Sequence, residues 1–510
     1  MERKPSVQAN YNAMGLIGFS AKMAAGLYDR QISSWRKNAA ALQEKVFRQL
    51  IKKGSRTLFG SDHSFGRINS YHQFTKHVPV RDYESLKIYI DRVIAGEKNI
   101  LWPGRPVYFA MTSGTTSGSK CIPITRDSIP NHINSMRIAL FNYINSTGKT
   151  GFLNGKYIFL SGSPRLENLN GIPAGRLSGI VNHHIPGYLR IKQLPTWGVN
   201  CIGDWERKLD AIVDQTIDRS MSLISGIPPW VKMYFERLLE RSGKPSILSL
   251  FPEFSLFVYG GVNFRPYERK FRKLIGGEVD SLEIFPASEG FFALQDQFPG
   301  NGLLLIPDSG IFYEFIPLDK FHDSEPERIP LEGVLTGVNY VMILNTNAGL
   351  WGYNIGDTVR FISKDPYLVA VTGRVSEYTS AFGEHVIAGE AESAMAEACR
   401  KTGAGITEFT VAPLVDNPDG KPCHEWFIEF SEHPPDLEVF SRELDLLMRK
   451  KNSYYDDLVK GNIIQPLIVR VLSAGSFARY MNSIGKLGGQ NKVPRLRNDR
   501  NLADILISCS

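Results

Sequence analysis

The stretch that decides the fold is Val107-Tyr-Phe-Ala-Met-Thr-Ser-Gly-Thr-Thr-Ser-Gly-Ser-Lys120. Its first four residues have the apolar and aromatic character of a strand, and a loop rich in hydroxyls and glycines follows directly. Glycines let a backbone turn sharply and bring its N–H groups close to a ligand. Hydroxyl and N–H groups together form a cradle for an anion, to which Lys120 adds positive charge. The pattern predicts a polyphosphate site at the end of a buried strand, with contacts from Thr112, Ser113, Gly114, Thr115, Thr116, Ser117 and Lys120.

Other interpretations of this loop are weaker. It is not a Walker loop, because GxxxxGK[ST] is absent. A flexible polar linker would not be expected directly after an apolar strand. Ser117-Gly-Ser-Lys120 and Lys401-Thr-Gly403 also match motifs of penicillin-binding proteins and lactamases. The chain contains no Ser-x-Asn, and Cys121–Thr125 resembles a strand where those enzymes begin a helix.

Around the loop, the chain has the composition of an ordinary globular protein. It has 510 residues, 43% hydrophobic and 22% charged, which excludes disordered, collagen-like and coiled-coil classes. Strand-like and helix-like runs alternate, which predicts an α/β core with substantial β content. The strand-like runs are Val107–Ala110, Tyr157–Leu160, Leu256–Tyr259, Leu303–Ile306, Ile311–Ile316 and Tyr340–Leu344, and the helix-like runs are Arg30–Arg56, Trp205–Ile217 and Trp230–Arg241.

A change of composition near Ser376 predicts a second, smaller α+β domain. We therefore expect one large domain over residues 1–375 and a small domain over residues 376–510. The first part holds 44 basic and 33 acidic side chains, and the second holds 15 and 19. The smaller domain is predicted to contain the helices Ala388–Lys401 and Pro435–Lys450, the apolar runs Phe409–Val415 and Trp426–Phe430, and the strand Ile463–Leu472.

Charge and cysteine usage bound the partners and the compartment. The net charge of +7 is spread over a long chain and does not indicate a nucleic-acid partner. The five cysteines are widely spaced without a CxxC, which favours reduced thiols in the cytoplasm. Lys22 interrupts the early apolar stretch Met14–Tyr28, so an amphipathic helix is expected there rather than a signal peptide. No run approaches the roughly 18–20 apolar residues of a membrane span. We expect a soluble cytoplasmic protein with no membrane partner.

At the phosphate loop and beyond, the sequence resembles the acyl-adenylate-forming superfamily. More closely, it is similar to the auxin-responsive acyl-acid amido synthetase family and its bacterial relatives. Upstream segments such as Val78-Pro-Val-Arg-Asp-Tyr83 and Asn99-Ile-Leu-Trp-Pro-Gly104 fit this family, and four downstream blocks follow in its order. The resemblance implies a large N-terminal adenylate-forming domain with mixed β-sheets and a β-barrel-like part. It also implies a small α+β C-terminal cap.

The first two blocks carry the expected nucleotide and metal contacts. In Glu283-Ile-Phe-Pro-Ala-Ser-Glu289, the resemblance implies that Phe285 stacks on adenine, that Ser288 lies near the α-phosphate and that Glu289 holds Mg²⁺. Mg²⁺ commonly takes one carboxylate together with nucleotide phosphates, which suits this role. In Tyr353-Asn-Ile-Gly-Asp357, Asp357 would bind the ribose hydroxyls, with Tyr353 beside it.

The last two blocks connect and complete the site. Gly373-Arg374 begins the superfamily hinge segment, so Arg374 would contact the nucleotide and the chain would pivot near Ser376. The Gln490–Arg495 block implies that Lys492 is the lysine that reaches the adenylation centre, with Lys486 as the alternative. Gly260 and Gly261 follow a strand, where they could form a backbone wall beside adenine or a plain turn.

The resemblance implies an ATP- and Mg²⁺-dependent enzyme with two half-reactions. A carboxylic acid would form an acyl adenylate, and an amine, usually an amino acid, would then displace AMP. An acyl-CoA synthetase, a loader for another acceptor and an inactive nucleotide-binding protein stay open as alternatives. Residues 130–190 are expected to line the acyl pocket, but nothing in the sequence selects the acid or the acceptor. The polar candidates there are Arg137, Arg165, Arg176, His183 and His184.

Overall fold

The computed structural model describes residues 7–115, 118–261, 264, 268–298, 300, 302–321, 323, 325–375, 378–384, 386–418, 420–484 and 493–508. Within these ranges, no helix combines the length and the apolar character that crossing a membrane requires. The described part of the chain is a mixed α/β structure with one large sheet and three smaller ones.

The helices and strands follow one another along the whole chain. The helices are α1 (Val7–Gly54), α2 (Leu58–Asp62), α3 (Tyr71–His77), α4 (Tyr83–Ile94), α5 (Ile129–Thr147), α6 (Leu177–His183), α7 (Gly187–Arg190), α8 (Trp197–Asn200), α9 (Trp205–Thr216), α10 (Pro228–Ser242), α11 (Ile247–Leu250), α12 (Glu268–Ile275), α13 (Ala388–Thr402), α14 (Leu437–Lys451), α15 (Ser453–Lys460), α16 (Ser476–Ser483) and α17 (Asn501–Ser508). The strands are β1 (Tyr108–Thr115), β2 (Gly118–Ile124), β3 (Lys156–Phe159), β4 (Glu167–Leu169), β5 (Ile172–Gly175), β6 (Gln193–Leu194), β7 (Met221–Ser225), β8 (Leu256–Gly260), β9 (Asp280–Ala287), β10 (Gly290–Gln295), β11 (Leu303–Leu305), β12 (Ile311–Pro317), β13 (Ile329–Pro330), β14 (Asn339–Thr346), β15 (Tyr353–Lys364), β16 (Tyr367–Arg374), β17 (Tyr378–Thr379), β18 (Val386–Ile387), β19 (Gly405–Leu414), β20 (Cys423–Glu432) and β21 (Ile468–Val471).

The large sheet has twelve strands in the order β13-β12-β14-β15-β16-β11-β10-β9-β8-β7-β3-β6. Strands β6, β3, β7, β8 and β9 are parallel, and every pair from β9 to β13 is antiparallel. Parallel strands need crossover connections that cover their faces, which is why helices such as α9 and α10 lie between these strands in sequence. The structure has this antiparallel half of one sheet where a β-barrel-like part was predicted.

The sequence predicted that the hydroxyl-rich stretch is a loop. In the structure it forms the outer half of a β-hairpin. Thr112 pairs with Lys120, and Thr115 pairs with Gly118. Thr116 and Ser117 lie between them, outside the described residues. The β-branched threonines favour an extended backbone, which explains why strand pairing continues past the apolar residues.

The predicted helices near the start and middle of the chain are confirmed, with different ends. The first helix is longer than the predicted Arg30–Arg56 and runs from Val7 to Gly54, with a non-helical residue at Asn38. The predicted strand Ile463–Leu472 is largely wrong, because only Ile468–Val471 forms a strand. Its earlier apolar residues are buried in the core without pairing.

The C-terminal part of the chain builds its own three-stranded sheet, β19-β20-β21. One face, with Val411 and Trp426, joins a hydrophobic cluster that also contains Trp205 and Tyr234 of the large part. The opposite face packs against α16 and α17 through Phe427 and neighbouring apolar residues. In sequence, β16 is the last strand of the large sheet, and the next strand, β17, belongs to another sheet. The division at Ser376 itself stays a prediction.

Candidate active site

The end of β8 provides a backbone wall at the carboxyl edge of the parallel strands, where open α/β sheets bind ligands. A Cβ atom on Gly260 would lie 2.2 Å from the carbonyl oxygen of Ile284, so only glycine lets β8 approach β9 this closely. Gly261 has a φ of +81°, and its Cβ position faces Ile227 at 3.7 Å. The prediction that these two glycines form a backbone wall beside adenine stays a prediction.

Ser288 and Glu289 form the turn between β9 and β10, since Ala287 pairs with Gly290. Asn131 of α5 holds this hairpin. The backbone N–H of Phe291 donates to Oδ1 of Asn131 at 2.6 Å, and Nδ2 of Asn131 donates to the carbonyl of Phe291 at 3.0 Å. The sequence analysis missed Asn131. A polar side chain at a buried helical position, seven residues after the end of β2, could have indicated it.

Phe285 is only 7% exposed, and its ring packs edge-to-face on Phe292 with centroids 5.1 Å apart. Tyr353 is fully buried in the same hydrophobic cluster. In this arrangement, both predicted aromatic contacts belong to the core. The stacking of Phe285 on adenine and the nucleotide contact of Tyr353 stay predictions.

Residues 81–83 contact both the β1–β2 hairpin, which we call the phosphate hairpin after its predicted role, and the motif Tyr353–Asp357. The N–H of Cys121 donates to the hydroxyl of Tyr83 at 2.9 Å, and Nζ of Lys120 lies 5.7 Å from the centre of the Tyr83 ring. Arg81 accepts from the N–H of Asn354 at 2.7 Å, at the start of β15. The two motifs are far apart in sequence, and these contacts bring them to one region.

Asp357 is 8% exposed and lies opposite Arg374 in the β15–β16 register. Gly356, with a φ of +84°, precedes it. Strand β15 continues through both residues. The structure describes only the backbone of Arg374, so the proposed contact of its side chain stays a prediction.

Several predicted residues fall outside what the structure describes. These are Thr116, Ser117, Ser376, Lys486 and Lys492, together with the side chains of Ser113 and Thr115 and the surroundings of Gly114.

The chain resumes at Val493, immediately after the predicted lysine. Val493 packs with Phe477 in the cluster on the outer face of the small sheet. The next residues are fixed on β19, because the N–H of Val411 donates to Arg495 O at 2.9 Å and that of Arg497 to Val411 O at 3.0 Å.

Arg176 joins the large part to α15. Its guanidinium lies 3.7 Å from the centre of the Tyr454 ring and 2.5 Å from a carboxylate oxygen of Asp457. The hydroxyl of Tyr454 donates to the carbonyl of Met111 at 3.3 Å, at the base of the phosphate hairpin. Arg176 lies at this junction, and its place in the acyl pocket stays a prediction.

The other polar candidates of residues 130–190 have local partners. Arg137 donates to Asn134 on its own helix. A ring nitrogen of His183 lies 2.8 Å from the carbonyl of Pro164, and one of His184 lies 3.2 Å from the Tyr108 hydroxyl. The backbone N–H of Arg165 donates to the Ser163 hydroxyl at 3.3 Å.

Just beyond the predicted hinge, Glu384 and His424 form a buried pair. Nε2 of His424 lies 2.9 Å from Oε1 of Glu384, and the N–H of Phe382 donates to Oε2 at 2.8 Å. Burial opposes the charge of Glu384, but the hydrogen bond from His424 and its charge hold the pKa of the carboxyl below its usual value. The neighbouring Gly383 approaches Ile227 of the large part, where a Cβ would lie 2.9 Å from Cδ1.

The residues at the β9–β10 turn fit a magnesium ion that is shared with phosphate. Glu289 offers carboxylate oxygens at the turn between β9 and β10. Mg²⁺ typically takes one or two carboxylates, with its remaining ligands from phosphates and water. The described part of the chain contains no group of three or more His, Cys, Asp or Glu that would hold a metal by itself.

Two solved structures of acyl-adenylate-forming ligases share this fold. AtGH3.15 acyl acid amido synthetase in complex with 2,4-DB superposes with a TM-score of 0.62 at 16% identity, covering 100% of this chain and 97% of that one. 2-Hydroxyisobutyryl-CoA ligase, in complex with 2-HIB-AMP and CoA in the thioesterification state, superposes with a TM-score of 0.58 at 13% identity, covering 92% of each chain.

Three family models match in chain order: the GH3 family N-terminal domain over residues 29–192, the central domain over 304–374 and the C-terminal domain over 389–501. Together they cover more than half of the chain, which belongs to the GH3 family. The indole-3-acetic acid-amido synthetase GH3.3 of Arabidopsis thaliana is 22% identical over 94% of this chain and 93% of its own length. GH3.15 of the same plant, also an indole-3-acetic acid-amido synthetase by name, is 31% identical over 63% of this chain and 65% of its own length. The predicted family, fold and class of enzyme are confirmed.

Proposed function

We propose that this protein activates a carboxylic acid with ATP and transfers the acyl group to the amino group of an amino acid. In the first half-reaction, a carboxylate oxygen bonds to the α-phosphorus of ATP and pyrophosphate leaves. In the second, the amine nitrogen attacks the acyl carbon, AMP leaves and the amine loses a proton. The observation that carries the proposal is the ordered match of three GH3 domain models, with a relative named as an amido synthetase that covers 94% of the chain.

No protein nucleophile is needed, so positioning and charge neutralisation supply the rate. The hairpin residues Thr112–Lys120 hold phosphates through backbone N–H groups and Lys120. Gly260 and Gly261 face the base, Ser288 faces the α-phosphate, and Asp357 binds the ribose. Arg374 contacts the nucleotide from the neighbouring strand.

Mg²⁺, held by Glu289 and the phosphates, offsets negative charge on the triphosphate when it is bound. The short turn and the grip of Asn131 on Phe291 keep the carboxylate of Glu289 in place. We expect ATP and Mg²⁺ to be required together.

The described arrangement suits the second half-reaction better than the first. Arg176, Tyr454 and Asp457 hold α15 against the base of the hairpin. Val493 packs on the outer face of the small sheet, away from the face that meets the large part. We assign to adenylation a rotation of the small domain that brings Lys492 to ATP.

Pyrophosphate exchange with a panel of carboxylic acids tests the first half-reaction. We expect exchange with some acid, slowed well over tenfold by Lys492→Ala. Lys486→Ala is the matched control, since the two lysines belong to the same segment. Unchanged exchange in Lys492→Ala and slow exchange in Lys486→Ala would reassign the role.

The acceptor separates the remaining alternatives. One structural neighbour is a CoA ligase, so CoA is the second candidate acceptor. The adenylate should be trapped by amino acids and not by CoA; the reverse would favour an acyl-CoA synthetase. No exchange with any acid would favour an inactive nucleotide binder.

We place the reaction in the cytoplasm. The described cysteines Cys121, Cys201, Cys399 and Cys423 are free thiols, as is usual in a reducing compartment.

A further inference from the structure

A buried lysine lies near the carboxyl end of β3 without a carboxylate partner among the described residues. Lys208 of α9 is 5% exposed. Its Nζ donates to the carbonyl of Ser161 at 2.8 Å and to that of Asn200 at 3.1 Å. An ammonium group has three donors, so one N–H is left over. Burial lowers the pKa of Lys208 to about 8.

The two residues that bind Lys208 each carry a further unused polar atom. The hydroxyl of Ser161 and Oδ1 of Asn200 are buried and make no hydrogen bond within the described parts of the chain. Buried polar groups are normally hydrogen-bonded, and an uncompensated one costs roughly 1–3 kcal/mol. Lys208 binds both other residues, and the three unused groups form a polar cluster that is organised for a guest.

The cluster lies on the same edge of the sheet as the proposed nucleotide site. Ser161 is two residues past the end of β3, and β7 separates β3 from β8. Neighbouring strands are about 4.8 Å apart, so the cluster is about 10 Å from the glycine wall at Gly260. It also adjoins the small domain, because Trp205, one turn before Lys208, packs against Gly461.

We propose that Lys208, Ser161 and Asn200 form a subsite for a substrate carboxylate, namely the α-carboxylate of the acceptor amino acid. The inference rests on the proposed function. A carboxylate accepts from an ammonium and a hydroxyl, and the amide of Asn200 can turn its NH₂ group towards it. Charge-assisted hydrogen bonds of this kind, in a buried site, separate an amino acid from an amine that lacks the carboxylate. The place beside the small domain suits a substrate that enters for the second half-reaction.

The test compares amide formation from an amino acid and from its decarboxylated amine, such as leucine and isoamylamine. Lys208→Met keeps the apolar stem and removes the charge. We expect kcat/KM for leucine to fall at least tenfold, kcat/KM for isoamylamine to change less than threefold, and pyrophosphate exchange to stay as in the wild type.

Lys192→Met is the matched control. Lys192 also donates to a backbone carbonyl, that of Leu153 at 2.6 Å, but lies near the opposite end of β3. It should keep the wild-type preference for leucine.

Three other outcomes are informative. Slower exchange only with dicarboxylic acids would assign the subsite to a second carboxylate of the acyl substrate. Wild-type exchange and wild-type discrimination in Lys208→Met would overturn the subsite and leave only buried water. Absence of exchange in the wild type would count against the proposed function. The subsite would then be tested by thermal stabilisation with leucine. Stabilisation of Lys192→Met but not of Lys208→Met would still support the subsite, and equal stabilisation of both variants would overturn it. If Lys208→Met does not fold, Ser161→Ala should show the same selective loss for leucine, and unchanged discrimination there overturns the proposal.

Discussion

Gly260→Ala is the sharpest test of the glycine wall at the proposed nucleotide site. The new Cβ would lie 2.2 Å from the carbonyl oxygen of Ile284, whereas real Cβ contacts are essentially never under 3.0 Å. The strands β8 and β9 must therefore separate by about 1 Å, because the backbone oxygen cannot rotate away as a side chain would. Overpacking of this kind costs about 1–3 kcal/mol of the free energy of unfolding.

The same movement displaces the wall that faces the base of ATP. A misplacement of about 1 Å at a reacting site can cost about 100-fold in rate. We expect Gly260→Ala to raise KM for ATP and to slow pyrophosphate exchange by about that factor, measured alongside thermal unfolding.

Gly155→Ala is the matched control, since its Cβ would lie 2.4 Å from the carbonyl oxygen of Ser220. That clash is of the same kind, but it lies near the opposite edge of the sheet, before β3. Both variants should lose stability, and only Gly260→Ala should lose exchange. Equal exchange rates in the two variants would refute the placement of ATP at this wall.

Two further predictions concern the small domain. Arg176→Ala should slow amide formation several-fold without changing pyrophosphate exchange. The reason is that a half-exposed ion pair contributes up to about 1 kcal/mol and a cation–π contact about 0.5–2 kcal/mol. In a double-mutant cycle with Tyr454→Ala, the effects on amide formation should be non-additive, and strict additivity would contradict the junction. Glu384→Gln should cost about 3–5 kcal/mol in urea unfolding, since it breaks a buried pair with His424. The pKa of Glu384 is held low, so its contribution to the free energy of unfolding is present above the ordinary carboxyl pKa and is lost as pH falls through the lowered value. The wild type should therefore lose more stability than Glu384→Gln between neutral and strongly acidic pH. Equal losses would show that the pair does not stabilise the fold.

Local patterns were enough to predict much of this protein. The helices at Trp205–Thr216 and Pro228–Ser242 follow the spacing of their apolar residues. The ordered blocks from the phosphate hairpin to the GH3 C-terminal domain identified the family. Such features depend on residues that are near one another in the chain, and a sequence displays them directly.

Local patterns failed where strand pairing decided the outcome. The threonines after Ala110 suggested a loop, and strand pairing with β2 extended them into a hairpin. That outcome is not visible without the partner strand.

The sequence by itself determined the family, the mixed α/β fold and the order of the candidate motifs. Only the tertiary structure placed Asn131 against Phe291 and Arg176 against Tyr454, across separations of 160 and 278 residues. It also showed that Lys208 has two carbonyl partners and no carboxylate among the described residues. Hydrogen bonds and desolvation act over a few ångströms in space, so contacts between distant parts of the chain arise only when the sheet and its helices have formed.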